Sequence, residues 1–133
     1  MSSQKTQLTF TKLNKALSRL EEILKKPMEA DRSNIDASIQ RFEFTIELFW
    51  KLLKRILADL GQEATYPREV LQAAYAGNLI ENESAWIRML EDRNQTSHAY
   101  NEELADAIYG RIKTYFPILK TTYLALEERY AEK

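Results

Sequence analysis

SNIDASIQRFEFTIELFWKLLKRILADL, Ser33 to Leu60, carries the strongest helical periodicity in this chain. Ile35, Ile39, Phe42, Ile46, Phe49, Trp50, Leu53, Ile56, Leu57 and Leu60 recur at helical spacing and form one broad apolar face. A helix of this span is roughly 40 Å long at about 1.5 Å per residue. Gly61 ends it. A smaller apolar line, Ala37, Phe44 and Leu48, lies on the opposite side. A helix with two apolar faces is either central in a bundle or shared with a second chain.

On either side of it, four more segments read as helices and none as a strand. Leu13, Leu17, Leu20 and Leu24 form one stripe of a helix from about Thr9 to Lys26, and Pro27 stops it. A short helix opens at Pro67 and closes at Gly77. The next runs from about Glu83 to Arg93, with Trp86 and Leu90 on its inner face. The last starts after Asn101, a side-chain cap followed by Glu102 and Glu103. Its stripe is Leu104, Ile108, Ile112, Tyr115, Leu119 and Leu126, and Pro117 should kink or divide it. Gly110 marks either a close helix–helix approach or a tolerated surface glycine. The sum is an all-α, up-and-down bundle of four to five helices in one domain over residues 1–133.

Composition narrows the chemistry. Of 133 residues, 44% are apolar and 29% charged, which suits a packed core under a charged surface. Without cysteine and with one histidine, the chain lacks the two or more thiolate or imidazole ligands that zinc or iron sites usually want, and no metal or other cofactor is expected. A net charge of −1 is not the footprint of a general nucleic-acid binder, so any RNA contact should be a small local site. Isolated glycines exclude a phosphate-cradling loop. No apolar run is long enough to cross a bilayer and the N-terminus has no signal-peptide core, so a cytoplasmic location is expected.

One element suggests chemistry: RNQTSHAY, residues 93–100. His98 is the sole histidine, and the only side chain expected to exchange a proton near neutral pH without an unusual environment. Arg93 continues the stripe of Trp86 and Leu90, so its guanidinium must be paired or must face a cavity. The competing account is an arginine that snorkels, or pairs with Glu91, Asp92 or a carboxylate elsewhere. Positions five apart on a regular helix point roughly 140° away from each other, so Arg93 and His98 meet only if the helix turns at Thr96–Ser97. For His98 the competing account is a surface or capping residue, and for Tyr100 a core or interface aromatic. Lys51, Lys54 and Arg55 read as a solvated face balanced by Glu43, Glu47 and Asp59.

Guanidinium, imidazole and phenol together suit a phosphodiester. RNA cleavage needs a base for the 2′-hydroxyl, an acid for the leaving 5′-oxygen and positive charge at phosphorus. One imidazole cannot easily serve both ends. A symmetric homodimer would line one interface cleft with Arg93 and His98 of both chains.

Three blocks carry a resemblance: FEFTIELFWKLLKRIL (Phe42–Leu57), YPREVLQAAYAGNLI (Tyr66–Ile80) and WIRMLEDRNQTSHAYNEELADAIYGRI (Trp86–Ile112). They resemble the nucleotidyltransferase substrate-binding protein family of the HEPN superfamily, which includes the HepT toxins. The likeness extends from about residue 10 to 120. It implies a HEPN-like helical homodimer with its R-x4–6-H motif in the interface cleft. It implies that Arg93 and His98 cleave RNA without metal, with Asn94 in a supporting position. It implies a separately encoded minimal nucleotidyltransferase as partner and antitoxin, which silences the toxin by transferring AMP to Tyr100. The alternative is a non-catalytic subunit that binds a nucleotide or acceptor for that nucleotidyltransferase. A third is a bare dimerisation module.

Overall fold

The structure, a computed structural model, describes residues 3–27 and 32–131. Within them are five α-helices and no strand: α1 (Gln4–Leu24), α2 (Ser33–Asp59), α3 (Pro67–Ala76), α4 (Glu83–Gln95) and α5 (Glu102–Tyr130). A single 3-10 turn, Thr96–His98, links α4 to α5. No helix is long and apolar enough to cross a membrane among the described residues.

Each boundary has a local cause. Ser3 Oγ accepts the Thr6 N–H at 3.2 Å, so α1 begins at Gln4, ahead of the expected Thr9. Gly61 takes a φ of +84°, a left-handed conformation that side chains disfavour, and α2 closes there. Pro67 opens α3 at a position where its missing N–H leaves no partner wanting. Asn82 and Asn101 cap α4 and α5, accepting from Ala85 N and Leu104 N at 3.3 and 3.1 Å.

The long helix α2 is central and packs against each of the other four. Phe42, Phe49, Leu53, Ile56 and Leu57 of its main face are buried. Burying a side chain of this size stabilises by about 1.5–3 kcal/mol. Phe42 stacks on Tyr115 of α5 at 5.8 Å between ring centroids, and Phe49 meets Trp86 of α4 edge-on at 4.7 Å. The pair α1–α2 is antiparallel. Thr6 Oγ1 and Ser3 N donate to Asp59 Oδ2 at one end, and Arg41 Nη1 donates to Arg19 O nearer the other. Those donors offset the unfavourable placing of the Asp59 charge at the carbonyl end of α2.

Two expectations need correction. Leu60 is 52% exposed, because α2 stops at Asp59 and the chain turns away before this side chain reaches the core. Pro117 does not divide α5, which is one helix from Glu102 to Tyr130. It stands on the solvent side, where water can serve the carbonyl that loses its donor. Of the two readings of Gly110 the tolerated surface glycine holds, since it is exposed with nothing within 4 Å of a Cβ built on it. Of the second apolar line on α2, Ala37 and Leu48 pack partly against the core while Phe44 is exposed.

Candidate functional site

The site is built where α4 gives way to the 3-10 turn. Trp86, Met89 and Leu90 bury the inner face of α4 and fix its rotation. Neighbouring residues on a helix point about 100° apart, so Asp92 and Arg93 face different elements.

Asp92 is buried and faces α5. Arg111 Nε and Nη2 grip its two oxygens at 2.8 Å each, and the Tyr115 hydroxyl donates to Oδ2 at 2.6 Å. A buried carboxylate with three charge-assisted or strong donors is compensated. Burial, and then the bond to Asp92, push the Tyr115 phenol well above its ordinary range. The Asp92 bond likewise holds the Arg111 guanidinium above its ordinary value. This clamp fixes the last turn of α4 on α5.

Arg93 faces α2 instead. Its Nη2 donates to Glu47 Oε2 at 3.0 Å, the distant-carboxylate pairing foreseen as one alternative. Glu47 also accepts from Trp50 Nε1 at 3.1 Å and lies 3.4 Å from Lys51 Nζ. Burial opposes its charge, yet the Trp50 bond and the Arg93 and Lys51 charges together hold its carboxyl below the ordinary range. Arg93 Nε is buried and makes no hydrogen bond. One turn earlier on α2, Glu43 Oε2 lies 2.7 Å from Thr96 Oγ1, which is also 2.7 Å from Arg93 O. Glu43 and Glu47 therefore hold the end of α4 and the start of the 3-10 turn from one side of α2.

The turn expected at Thr96–Ser97 is present, and it carries His98 to the surface. The His98 and Tyr100 rings meet edge-on at 6.0 Å. Tyr100 is 82% exposed, so its hydroxyl is open to another molecule. Asn94 is exposed. The structure thus brings His98 and Tyr100 together, but no hydrogen bond or ion pair joins Arg93 to His98 among the described residues of one chain. At the start of α5, Asn101 Oδ1 takes the Leu104 N–H, and Glu102 and Glu103 stand in the first turn, so this helix end is poorly suited to an anion. The described residues contain no group of three or more His, Cys, Asp or Glu side chains placed to hold a metal ion.

Glu47, Glu43, Asp92 and Arg111 were not foreseen in these roles. Each acts across 19 to 53 residues of sequence, a separation that no helical period exposes.

Fold and site together define an all-helical protein with an R-x4-H-x-Y element at an exposed helix junction. Residues 8–128 match the family described as nucleotidyltransferase substrate binding protein like. The chain belongs to that family. It is 33% identical over 97 residues to a Haemophilus influenzae protein named probable ribonuclease HepT, an alignment covering 68% of this chain. The chain spans 64% of that relative's length. A Thermus thermophilus crystal structure superposes with a TM-score of 0.77 at 34% identity, over 85% of this chain and 96% of that one. A second structure, from Haemophilus influenzae, has a TM-score of 0.78 at 27% identity, over 89% and 98% of the two chains. It is described as revealing the fold of a substrate binding domain of a nucleotidyltransferase.

Proposed function

We propose that this protein is a metal-independent ribonuclease, the toxin of a pair in which a minimal nucleotidyltransferase is the antitoxin and transfers AMP to Tyr100. The observation that carries the reading is the pairing of an exposed imidazole with an exposed phenol. The His98 and Tyr100 ring centroids stand 6.0 Å apart at an open junction, in the turn that follows Arg93, whose guanidinium is held by Glu47. The relative named probable ribonuclease HepT supports it.

In this mechanism two protomers join at the α4–α5 junction. His98 takes the proton of a ribose 2′-hydroxyl, and the 2′-oxygen attacks the adjacent phosphorus. The P–O5′ bond breaks, and the protonated His98 of the partner subunit gives its proton to the leaving oxygen. Arg93 stabilises the charge that develops on the phosphoryl oxygens. Glu47 engages Nη2 and leaves Nη1 for that task. Silencing follows from the same geometry. The Tyr100 hydroxyl attacks the α-phosphorus of ATP, pyrophosphate leaves, and the phenolic proton passes to solvent. The resulting anionic adenylyl group lies over His98 and repels RNA.

The test is incubation of the purified protein with labelled RNA in excess chelator. Cleavage by the native protein and none by His98→Ala is the expected result. Equal cutting by the two would remove His98 from the mechanism. A second reading is favoured by the structure described as a substrate binding domain: a non-catalytic subunit that presents a nucleotide or acceptor to the nucleotidyltransferase. It expects no cleavage, and nucleotide binding that Arg93→Ala weakens.

A further inference from the structure

Between α1 and α2 runs an open groove of about 560 Å³. Lys12, Lys15 and Arg19 of α1 rise along one wall, and Arg41 of α2 faces them. The floor holds the exposed Phe44 and the half-buried Leu48. One carboxylate, Glu47, closes one side, and it is the residue that grips Arg93 at 3.0 Å.

Two features set this groove apart. The chain as a whole has 19 cations and 20 carboxylates, yet four cations and one carboxylate meet here. Moreover, none of the four forms an ion pair among the described residues, whereas Lys25, Arg32, Lys51, Arg93, Arg111 and Lys120 all do. Arg41 uses Nη1 to reach Arg19 O at 2.8 Å, which braces its guanidinium across the gap without neutralising it.

We propose that this groove binds single-stranded RNA, with phosphates on Lys12, Lys15, Arg19 and Arg41 and one base stacked on Phe44. The inference rests on the reading that the Arg93–His98 site acts on RNA, and it gives that substrate a path to Arg93 past Glu47. A positive track with an exposed aromatic ring in its floor is the chemistry by which proteins hold unpaired strands without reading their sequence. In a duplex the neighbouring stacked bases would cover the face that Phe44 needs. A second copy of this chain, seated symmetrically, would set four cations against four cations, and like charges so placed oppose association.

The experiment is fluorescence anisotropy with a fluorescein-labelled, 2′-O-methyl oligoribonucleotide, which cannot be cleaved, across a range of salt concentrations. Lys12→Gln/Lys15→Gln should bind about tenfold more weakly and lower the log–log salt slope by about 1.4, the value for two phosphate contacts on a single strand. Phe44→Ala should weaken binding about fivefold or more. Lys25→Gln/Lys26→Gln, beyond the end of α1 and outside the groove, should match the native protein. Native affinity and slope in the groove variants, or no binding by the native protein, overturns the proposal. So does loss of binding that merely follows a change from oligomer to monomer in sedimentation, because the groove is then a self-association surface. Cleavage of unmodified RNA is scored separately. Cutting that depends on His98, with groove variants binding normally, sinks the groove and keeps the ribonuclease. Groove-dependent binding without cutting does the reverse.

Discussion

Glu47 and Arg93, 46 residues apart in sequence, form an ion pair at 3.0 Å that joins the central helix to the end of α4. The pair is not symmetric in its consequences. Glu47 accepts from Trp50 as well and neighbours Lys51, whereas among the described residues Glu47 is the one carboxylate that Arg93 engages. Both side chains are about one-third exposed, so solvent screens part of the attraction.

Glu47→Ala should therefore cost more stability than Arg93→Ala. Removing the carboxylate strands two half-buried donors, Arg93 Nη2 and Trp50 Nε1, at about 1–2 kcal/mol. Removing the guanidinium leaves Glu47 its other partners and should cost less than about 1 kcal/mol. Urea unfolding of both variants decides the order, and an Arg93→Ala variant less stable than Glu47→Ala would contradict it.

Asp92 and His98 should separate stability from activity. Asp92→Asn weakens a buried clamp on Arg111 and Tyr115 and should cost about 2–3 kcal/mol, below the ~3–5 kcal/mol of a fully buried broken pair because Arg111 is 40% exposed. His98 is exposed in the 3-10 turn, so His98→Ala should lie within about 0.5 kcal/mol of the native protein. A large thermal shift in His98→Ala would mean that its loss of cleavage says nothing about catalysis.

Tyr100→Phe keeps the ring beside His98 and removes only the acceptor oxygen. Coexpressed with the partner nucleotidyltransferase, the native protein should gain the mass of AMP on this tyrosine and the variant should not. The variant should cut RNA as well as the unmodified native protein and stay toxic in the presence of its partner. Modification that persists in Tyr100→Phe would assign the acceptor to another residue.

How much of this was legible in the sequence follows from the range of each interaction. The stripe of α2, the caps at Asn101 and Pro67, and the break at Thr96 are local effects, and the three- and four-residue periods expose them directly. The rotation of α4 was legible too, since Trp86 and Leu90 aim Arg93 inward. Which carboxylate meets Arg93 was not, because Glu47 is one of several acidic residues and only packing selects it. The length of α1 was missed for a different reason: Gln4–Leu8 is largely polar and owes its helical state to the Ser3 cap and the tie of Thr6 to Asp59, not to an apolar stripe.

The alkaline limb of stability should report on the Asp92 clamp. The Tyr115 phenol is held above the ordinary value of 10.0 by burial and by its bond to Asp92, and Tyr123 is held above it by burial and by its bond to Glu127. For each, the folded protein keeps its proton at a pH where the unfolded chain has released it. The stabilisation is complete below about pH 10 and is lost as pH rises above it, by at most about 1.4 kcal/mol per pH unit for each tyrosine. Tyr115→Phe cannot titrate at that position, but it forfeits a hydrogen bond to a carboxylate worth about 1.5–3 kcal/mol at neutral pH. The variant should start less stable at pH 7, fall more gently above pH 10, and approach the native curve there. Urea midpoints between pH 7 and 11 test this. Parallel curves across that range would mean that the Tyr115 hydroxyl is not the group whose proton the fold retains.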